Sequence, residues 1–404
     1  MDLQILHSLK NNQEFKNFIQ TNIDNDTNKL RLKKYQGLSF DVKFAILQID
    51  CKNRINKKLP EIYESDSMLF PNILSTEQCT AELIAKFHAS LLSSENTVLD
   101  LTSGLCIDTY YISKKVKHVT AIEINPEIAN VAEFNMRSNS NNVDVLCDDS
   151  INYIQNCRNK YDTVFVDPAR RGDNNKRLFG LSDCNPNILE LIPKLRNISN
   201  SLFIKASPMI DISQTINELH NIVTDVWVIG INNECKELLF KVDLQSHDRI
   251  NANIHTINFE NSYIQELSET LKQSSNYKQI NITADDYIYE PNRCIMKAQI
   301  FDTLEIKYNI SRIHQNSHLF TSNELIHDFP GRKFKIIDII SFKNNEIKHF
   351  NKKHTQINVS VRNFKLTAEE LKQKLKIKDG GNKYLFGTTD YHNNAILIIC
   401  NKTT

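Results

Sequence analysis

Val98-Leu-Asp-Leu-Thr-Ser-Gly-Leu-Cys-Ile-Asp108, then Ala121-Ile-Glu-Ile-Asn125 one strand–helix–strand unit later, then Val164-Phe-Val-Asp-Pro-Ala-Arg-Arg171, decide how this chain folds. Each piece places polar or small residues where an apolar strand candidate ends. Open α/β sheets bind ligands at that place, in the crevice outside the carboxyl ends of the strands. From about residue 96 strand and helix patterns alternate, which predicts a mostly parallel sheet covered by helices. The strand candidates are 97–102, 118–124, 143–147, 163–167, 202–205, 226–231 and 237–242. A helix over 126–136 follows from Asn125 as cap and Pro126 at the first helical position. The last two strand candidates are separated only by 232–236, too little for a helix, so they are expected to form an antiparallel hairpin at the sheet edge.

Outside this core the pattern changes. Residues 1 to about 90 have helical periodicity, as in Phe15-Lys-Asn-Phe-Ile-Gln20 and Phe44-Ala-Ile-Leu-Gln-Ile49. Ser75-Thr-Glu-Gln78 has the form of a capping box opening a helix over 79–88. The basic Lys52-Asn-Arg-Ile-Asn-Lys-Lys58 is read as a solvated turn in preference to a phosphate contact. After a polar stretch over 245–275 come shorter elements. These include a strand over 333–342, a capped helix from Thr367-Ala-Glu-Glu370 to Lys376 closed by Gly380-Gly381, and strands over 383–387 and 395–400. The pattern gives an N-terminal helical region 1–92, an α/β domain 93–248 and then one or two small α+β modules, which only the family resemblance carried by the motifs divides into a linker with a small module, 249–325, and a second module, 326–404.

At 404 residues the chain exceeds one ordinary core, and its 40% apolar and 24% charged content is that of folded globular domains. The net charge of +1 hides an asymmetry. Residues 291–404 hold 19 Lys and Arg against 10 Asp and Glu, a surplus of nine that leaves −8 on the first 290. Clustered positive charge supplies the sequence-independent part of nucleic-acid affinity, although Lys-rich helix faces are also commonly just solvated. Nine scattered cysteines without a CxxC pair fit neither a zinc site nor a disulfide framework. The first ten residues lack a signal-peptide pattern and no long uncharged apolar run follows, so a cytoplasmic protein free of membrane is expected. His314, His318 and His327 are taken as structural, and no metal is expected. Cys184 has no neighbouring base in sequence, so a covalent cysteine mechanism is a minority reading.

The chemistry concentrates at the strand ends. A nucleoside cofactor needs close backbone approach after the first strand and an acid at the end of the second for the ribose hydroxyls, roles that suit Gly104 and Glu123. A pyrophosphate cofactor would want a full G-x-G-x-x-G loop, and one glycine there counts against NAD and FAD. Asp148-Asp149-Ser150 ends the third strand and Asp167-Pro168-Ala169-Arg170-Arg171 the fourth. Each acid also has a structural reading: Asp100 and Asp149 as helix caps, Asp167-Pro168 as a turn.

These motifs resemble the class I S-adenosylmethionine-dependent methyltransferases, and more closely the bacterial branch with a ferredoxin-like module and a C-terminal THUMP-like domain. The matching strings are Asp100 to Asp108 and Asp167 to Gly172. Further matches are Asp183-Cys-Asn-Pro-Asn187, Tyr289-Glu-Pro291, Asn316-Ser-His-Leu319, Phe329-Pro-Gly331, Val361-Arg-Asn-Phe364 and Gly380-Gly381. The resemblance implies a Rossmann-like sheet with S-adenosylmethionine as cofactor. Asp100, Thr102 and the turn through Gly104 would hold its methionine part, with Asp108 nearby. Glu123 would take the ribose hydroxyls, Asp149 the adenine amine, and Ile151 would cover the ring. Asp167 and Pro168 would face the methyl group and the acceptor, with RNA as partner.

The chain departs from that family at two places. Ser103 and Cys106 stand where its loop has glycine; Cys106 either narrows the cofactor's path or sits at a backbone position that never needs positive φ. Ala169-Arg170 replaces the aromatic pattern of amino-directed enzymes, and Arg170 and Arg171 suit either a phosphate contact or an ion pair anchoring the loop. The expected function is methylation of RNA, the alternative a catalytically degenerate fold serving as an RNA-binding or assembly module.

Overall fold

The computed structural model describes residues 2–170, 180–261, 263–270 and 280–403. The chain divides into two compact units, residues 1–224 with 239–250, and residues 225–238 with 251–404.

In the first unit the strands are β1 (Thr97–Asp100), β2 (His118–Glu123), β3 (Val143–Cys147), β4 (Tyr161–Val166) and β5 (Ser199–Ala206), in spatial order β5-β4-β1-β2-β3. All four pairings are parallel, with Leu99 opposite Thr120 on one side and Val164 on the other. The chain runs outward from β1 through β2 to β3 and returns to β4 on the other side of β1. The order therefore reverses between β1 and β4, the position where such sheets place ligands. Val98, Leu99, Val164, Leu202 and Ile204 are fully buried, as strands covered on both faces require.

Helix Pro126–Asn139 starts as the sequence indicates: the Asn125 side chain accepts from the backbone of Glu127 and Ile128, and Pro126 occupies the first turn. Its outer face is covered by the N-terminal helices. Leu6, Leu9, Phe15, Ile19, Phe44 and Ile49 form one core with Val131 and Phe134 of that helix. Buried Asn135 of the same helix clamps the chain before the sheet, exchanging two 2.9 Å hydrogen bonds with the backbone of Leu69.

The expected capping box at Ser75 is not one. Those residues lie inside helix Ile73–Gln78, whose cap is Asn72, accepting from the Ser75 N–H at 2.8 Å. Cys79 to Ala81 leave the helix, with Ala81 extended, and a second helix, Glu82–Ser90, begins afterwards without a side-chain cap. The break frees the Thr80 hydroxyl for tertiary contacts.

The second unit contains the tip of the hairpin formed by β6 (Val223–Ile231) and β7 (Glu234–Asp243). Asn232 and Asn233 have φ of 50° and 61°, the mirror-image turn that suits a two-residue hairpin. The hairpin was expected at the sheet edge. Instead β8 (Asn253–Phe259) lies parallel to β6 from Asp225 to Ile231, and β9 (Ile264–Thr270) pairs antiparallel with β8. Both added strands fall in the polar stretch read as a linker. Polar residues interrupt their apolar ones: His255, Thr256 and Asn258 separate the buried Ile254, Ile257 and Phe259, and Leu267 of β9 stands buried among polar neighbours, so no apolar run marks them.

A second sheet contains β10 (Tyr287–Pro291), β11 (Phe320–Ser322), β12 (Gly331–Ser341), β13 (Asn358–Val361), β14 (Lys383–Thr389) and β15 (Ala395–Lys402). Its order, inward from a short edge strand Ser311–Arg312, is β11-β10-β12-β15-β14-β13; β13 and β14 are parallel and the other described pairings antiparallel. Alternation along the strands feeds two cores: Phe334, Phe386 and Ile398 on one face, Leu385, Leu397 and Ile399 with helices Asn344–Lys353 and Ala368–Leu375 on the other. The Thr367 capping box is present, but Lys376 in the left-handed region ends the helix, ahead of Gly380. Buried Glu290 joins β10 to the chain around it, accepting from Arg332 at 2.6 Å and Arg362 at 2.7 Å. His314 bonds to Asn363 and Asn393, and His318 stacks on Phe301 at 4.5 Å. Among the described residues no helix is long and apolar enough to cross a membrane.

Candidate active site

Asp100 ends β1 and is 2% exposed. Its Oδ1 accepts the Thr102 N–H at 3.1 Å and its Oδ2 the Thr109 hydroxyl at 2.7 Å, so the carboxyl fastens both ends of the loop after β1. It is not a helix cap. Burial pushes this carboxyl up to about 7 against the opposing pull of those two hydrogen bonds. Glu123 ends β2 and grips the same loop: its Oε2 accepts the Gly104 N–H at 3.0 Å and its Oε1 the Asn125 N–H at 2.7 Å. Each of these oxygens keeps a second lone pair. Gly104 has φ +53° and nothing lies within 4 Å of where a Cβ would stand, so the loop's open side has room beside it.

After β3, Asp149 caps helix Ser150–Asn156 through Oδ1, which accepts from Ile151 at 2.8 Å and Asn152 at 3.0 Å. The Ser150 hydroxyl donates to the Leu101 carbonyl, drawing this strand end toward the loop after β1. Ile151 is partly buried, and Ile124, directly after Glu123, is 63% exposed.

Across the reversal point the loops after β1 and β4 are bonded to each other. The Asp167 N–H donates to the Thr102 hydroxyl at 2.7 Å. The Asp167 carboxylate, 46% exposed, lies 2.6 Å from the ammonium of Lys205 at the end of β5, which is 9% exposed. Lys205 also donates to the Thr80 hydroxyl at 2.7 Å and stands 3.5 Å from Asp108 Oδ2. Thr80 in turn donates to Asp108, whose Oδ1 is 2.8 Å from His88 Nδ1. Burial works against the ionised form of Asp108, but Lys205, His88 and Thr80 outweigh it and hold the carboxyl well below its ordinary range. The contacts form a ring from Asp100 through Thr102, Asp167, Lys205 and Asp108, which Thr109 closes back onto Asp100.

The fold thus gathers Asp100, Thr102, Gly104, Asp108, Glu123, Asp149 and Asp167 at one edge of one sheet. Asp108 is turned into the ion-pair network. Pro168 is buried, and Ala169 and Arg170 pair antiparallel with Asn185 and Cys184. The Arg170 side chain and all of Arg171 lie outside the described residues. Ser103 is bonded through its N–H and hydroxyl to the Ile122 carbonyl, at 2.9 and 3.1 Å, and faces β2. The idea that Cys106 occupies an undemanding backbone position is corrected: its φ is +59°. Its side chain is fully buried and burial pushes the thiol up to about 12, so it packs inward as a small hydrophobe. Lys205, Thr80 and His88 escaped sequence reasoning. The one available signal was a lysine at the end of an otherwise apolar strand.

A ferredoxin-like domain model matches residues 287–330 and a THUMP domain-like model residues 331–402. The chain is 35% identical over 117 residues to a Mycoplasma mobile protein named an uncharacterized RNA methyltransferase; this covers 29% of each, so the match spans under a third of that curated relative. A solved structure from Porphyromonas gingivalis W83, assigned as a methyltransferase, superposes with a TM-score of 0.84 at 29% identity, over 96% of this chain and 98% of its own. The chain therefore joins an α/β domain of the methyltransferase fold to a ferredoxin-like domain and a THUMP domain-like region.

Proposed function

We propose that this protein is an S-adenosylmethionine-dependent methyltransferase acting on RNA. The observation that carries the reading is the chain of hydrogen bonds and ion pairs, closed through the Asp108–Thr109 peptide, that joins the loops after β1 and β4 at the point where strand order reverses. The likeness over nearly the whole chain to the Porphyromonas gingivalis structure, and the local likeness to the Mycoplasma mobile RNA methyltransferase, support it.

In this reading the unused lone pairs of Glu123 accept the ribose hydroxyls. The second carboxylate oxygen of Asp149 takes the adenine amine, between Ile151 and the exposed Ile124. The room beside Gly104 admits the methionine end, in a loop shaped by Asp100, Thr102 and the buried Asp108. When bound, S-adenosylmethionine supplies a methyl group already activated on a sulfonium. The protein's part is then positioning: Asp167 and the backbone at Pro168 orient the acceptor's N–H or O–H and favour positive charge at the transferring group. Arg170, Arg171 and the basic 291–404 segment contact phosphates. The cofactor domain is 93–248 and RNA docks on 326–404, in a cytoplasmic protein.

The non-catalytic reading loses its motive, because Ser103 and Cys106 both point away from the loop's open side. Calorimetric titration with S-adenosylmethionine tests the proposal, and no binding at millimolar concentration would refute it. Mass spectrometry of nucleosides from total RNA with and without the gene would identify the product as the methylated nucleoside that disappears.

A further inference from the structure

Lys205 is a buried cation whose strongest contact is with an exposed partner. An ammonium nine-tenths removed from water must be paired, and three donors are available to it. They meet Asp167 at 2.6 Å, Thr80 at 2.7 Å and Asp108 at 3.5 Å. Asp108 is 12% exposed and has His88 and Thr80 besides, so its charge does not depend on Lys205 alone. Asp167 is 46% exposed, and Lys205 is its side chain's ion-pair partner at 2.6 Å. A lysine needed only to neutralise Asp108 would sit nearest that residue; this one sits nearest the carboxylate that faces outward at the reversal point.

We infer that Lys205 is a positioning residue for methyl transfer. It fixes the Asp167 carboxylate toward the acceptor and, through Asp108, ties it to the loop that holds the cofactor. The inference rests on the reading of this site as a methyltransferase centre. Thr102 fixes the main chain of Asp167 and Lys205 its side chain, so the carboxylate is held at two points and the loops after β1 and β4 move together. A carboxylate held this way accepts a hydrogen bond from an N–H or O–H acceptor. It also attracts the positive charge shared between donor and acceptor in the transfer. The acceptor is thereby restricted to a nitrogen or oxygen atom that carries hydrogen.

The test is binding, independent of any RNA. S-adenosylhomocysteine lacks the transferable group, whereas sinefungin carries an ammonium where the methyl would be. Both are titrated into the full-length wild type and into K205M, K205R, D167N and K205M/D167N. Wild type is expected to prefer sinefungin by about tenfold, the scale of one charge-assisted hydrogen bond. K205M and D167N each lose that preference, their affinity for sinefungin falling well beyond any fall in affinity for S-adenosylhomocysteine, K205R keeps part of it, and the double variant loses no more of it than either single. Should K205M not fold, K205R and D167N carry the same comparison. Equal affinities of wild type for the two ligands would overturn the inference, as would an unchanged preference in K205M or a parallel loss of both affinities. Wild type binding neither ligand removes the methyltransferase reading itself, and the role of Lys205 with it.

Discussion

Replacing Asp100 by Asn separates the needs of the fold from those of the site. The Asp100 carboxyl is wholly buried and its pKa is raised from 3.8 to about 7. A group whose folded pKa is raised contributes stability that is complete below the unfolded value, near pH 4, and lost as pH climbs through the folded value. Each pH unit of difference is worth about 1.4 kcal/mol, so ionising Asp100 costs the fold up to about 4 kcal/mol by pH 8; local relaxation makes about 2–4 kcal/mol the expected range. Asn carries no charge at any of these pH values and keeps the geometry. Its Oδ1 can still accept from Thr102, and its amide can donate to the Thr109 hydroxyl, which rotates to accept. D100N should therefore match wild type near pH 4 and exceed its stability by about 2–4 kcal/mol at pH 8. Guanidinium unfolding of the two proteins at pH 4.5, 6, 7 and 8 is the assay. A D100N less stable than wild type at pH 8, or a difference independent of pH, would refute the account of Asp100 as a carboxylate that the fold holds at a cost. A gain in stability accompanied by weaker S-adenosylhomocysteine binding is the trade expected of a functional site.

Two further outcomes follow from other parts of the chain. C106G exchanges relief of a left-handed backbone for the loss of a fully buried side chain, terms of about 1 kcal/mol each, so stability should change by less than about 1 kcal/mol. Its S-adenosylhomocysteine affinity should equal that of wild type; a gain of tenfold or more in titration would mean that the thiol obstructs the loop after all. E290Q leaves Arg332 and Arg362 facing a neutral amide and should cost about 2–3 kcal/mol, seen as faster hydrogen exchange in β10, β12 and β13, with β1 to β5 unaffected. Equal exchange in β10 of the variant and wild type would show that the two ion pairs contribute nothing.

The amino-acid sequence by itself determined the alternating elements and the strand ends. Short, mostly apolar strand segments stopped by Asp100, Glu123 and Asp167 need no long-range information, because burial on both faces and the ligand crevice at carboxyl ends are properties of each strand taken alone. Local chemistry likewise specified the Asn125–Pro126 helix start and the Thr367 capping box. It failed where two local signals competed, as at Asn72 and Ser75, and where polar residues interrupt the apolar ones of a strand, as in β8 and β9. The tertiary structure alone decided which acids serve the fold and which face outward. Asp108 and Asp167 both look like loop acids in sequence, yet one is turned into a buried network and the other is nearly half exposed. Lys205 lies 38 residues beyond Asp167 and 97 beyond Asp108, and only the parallel registry of β1, β4 and β5 brings the three together. Charge pairing acts through space, so beyond a lysine closing an otherwise apolar strand, the residue that links the two loops leaves no mark in the local pattern around it.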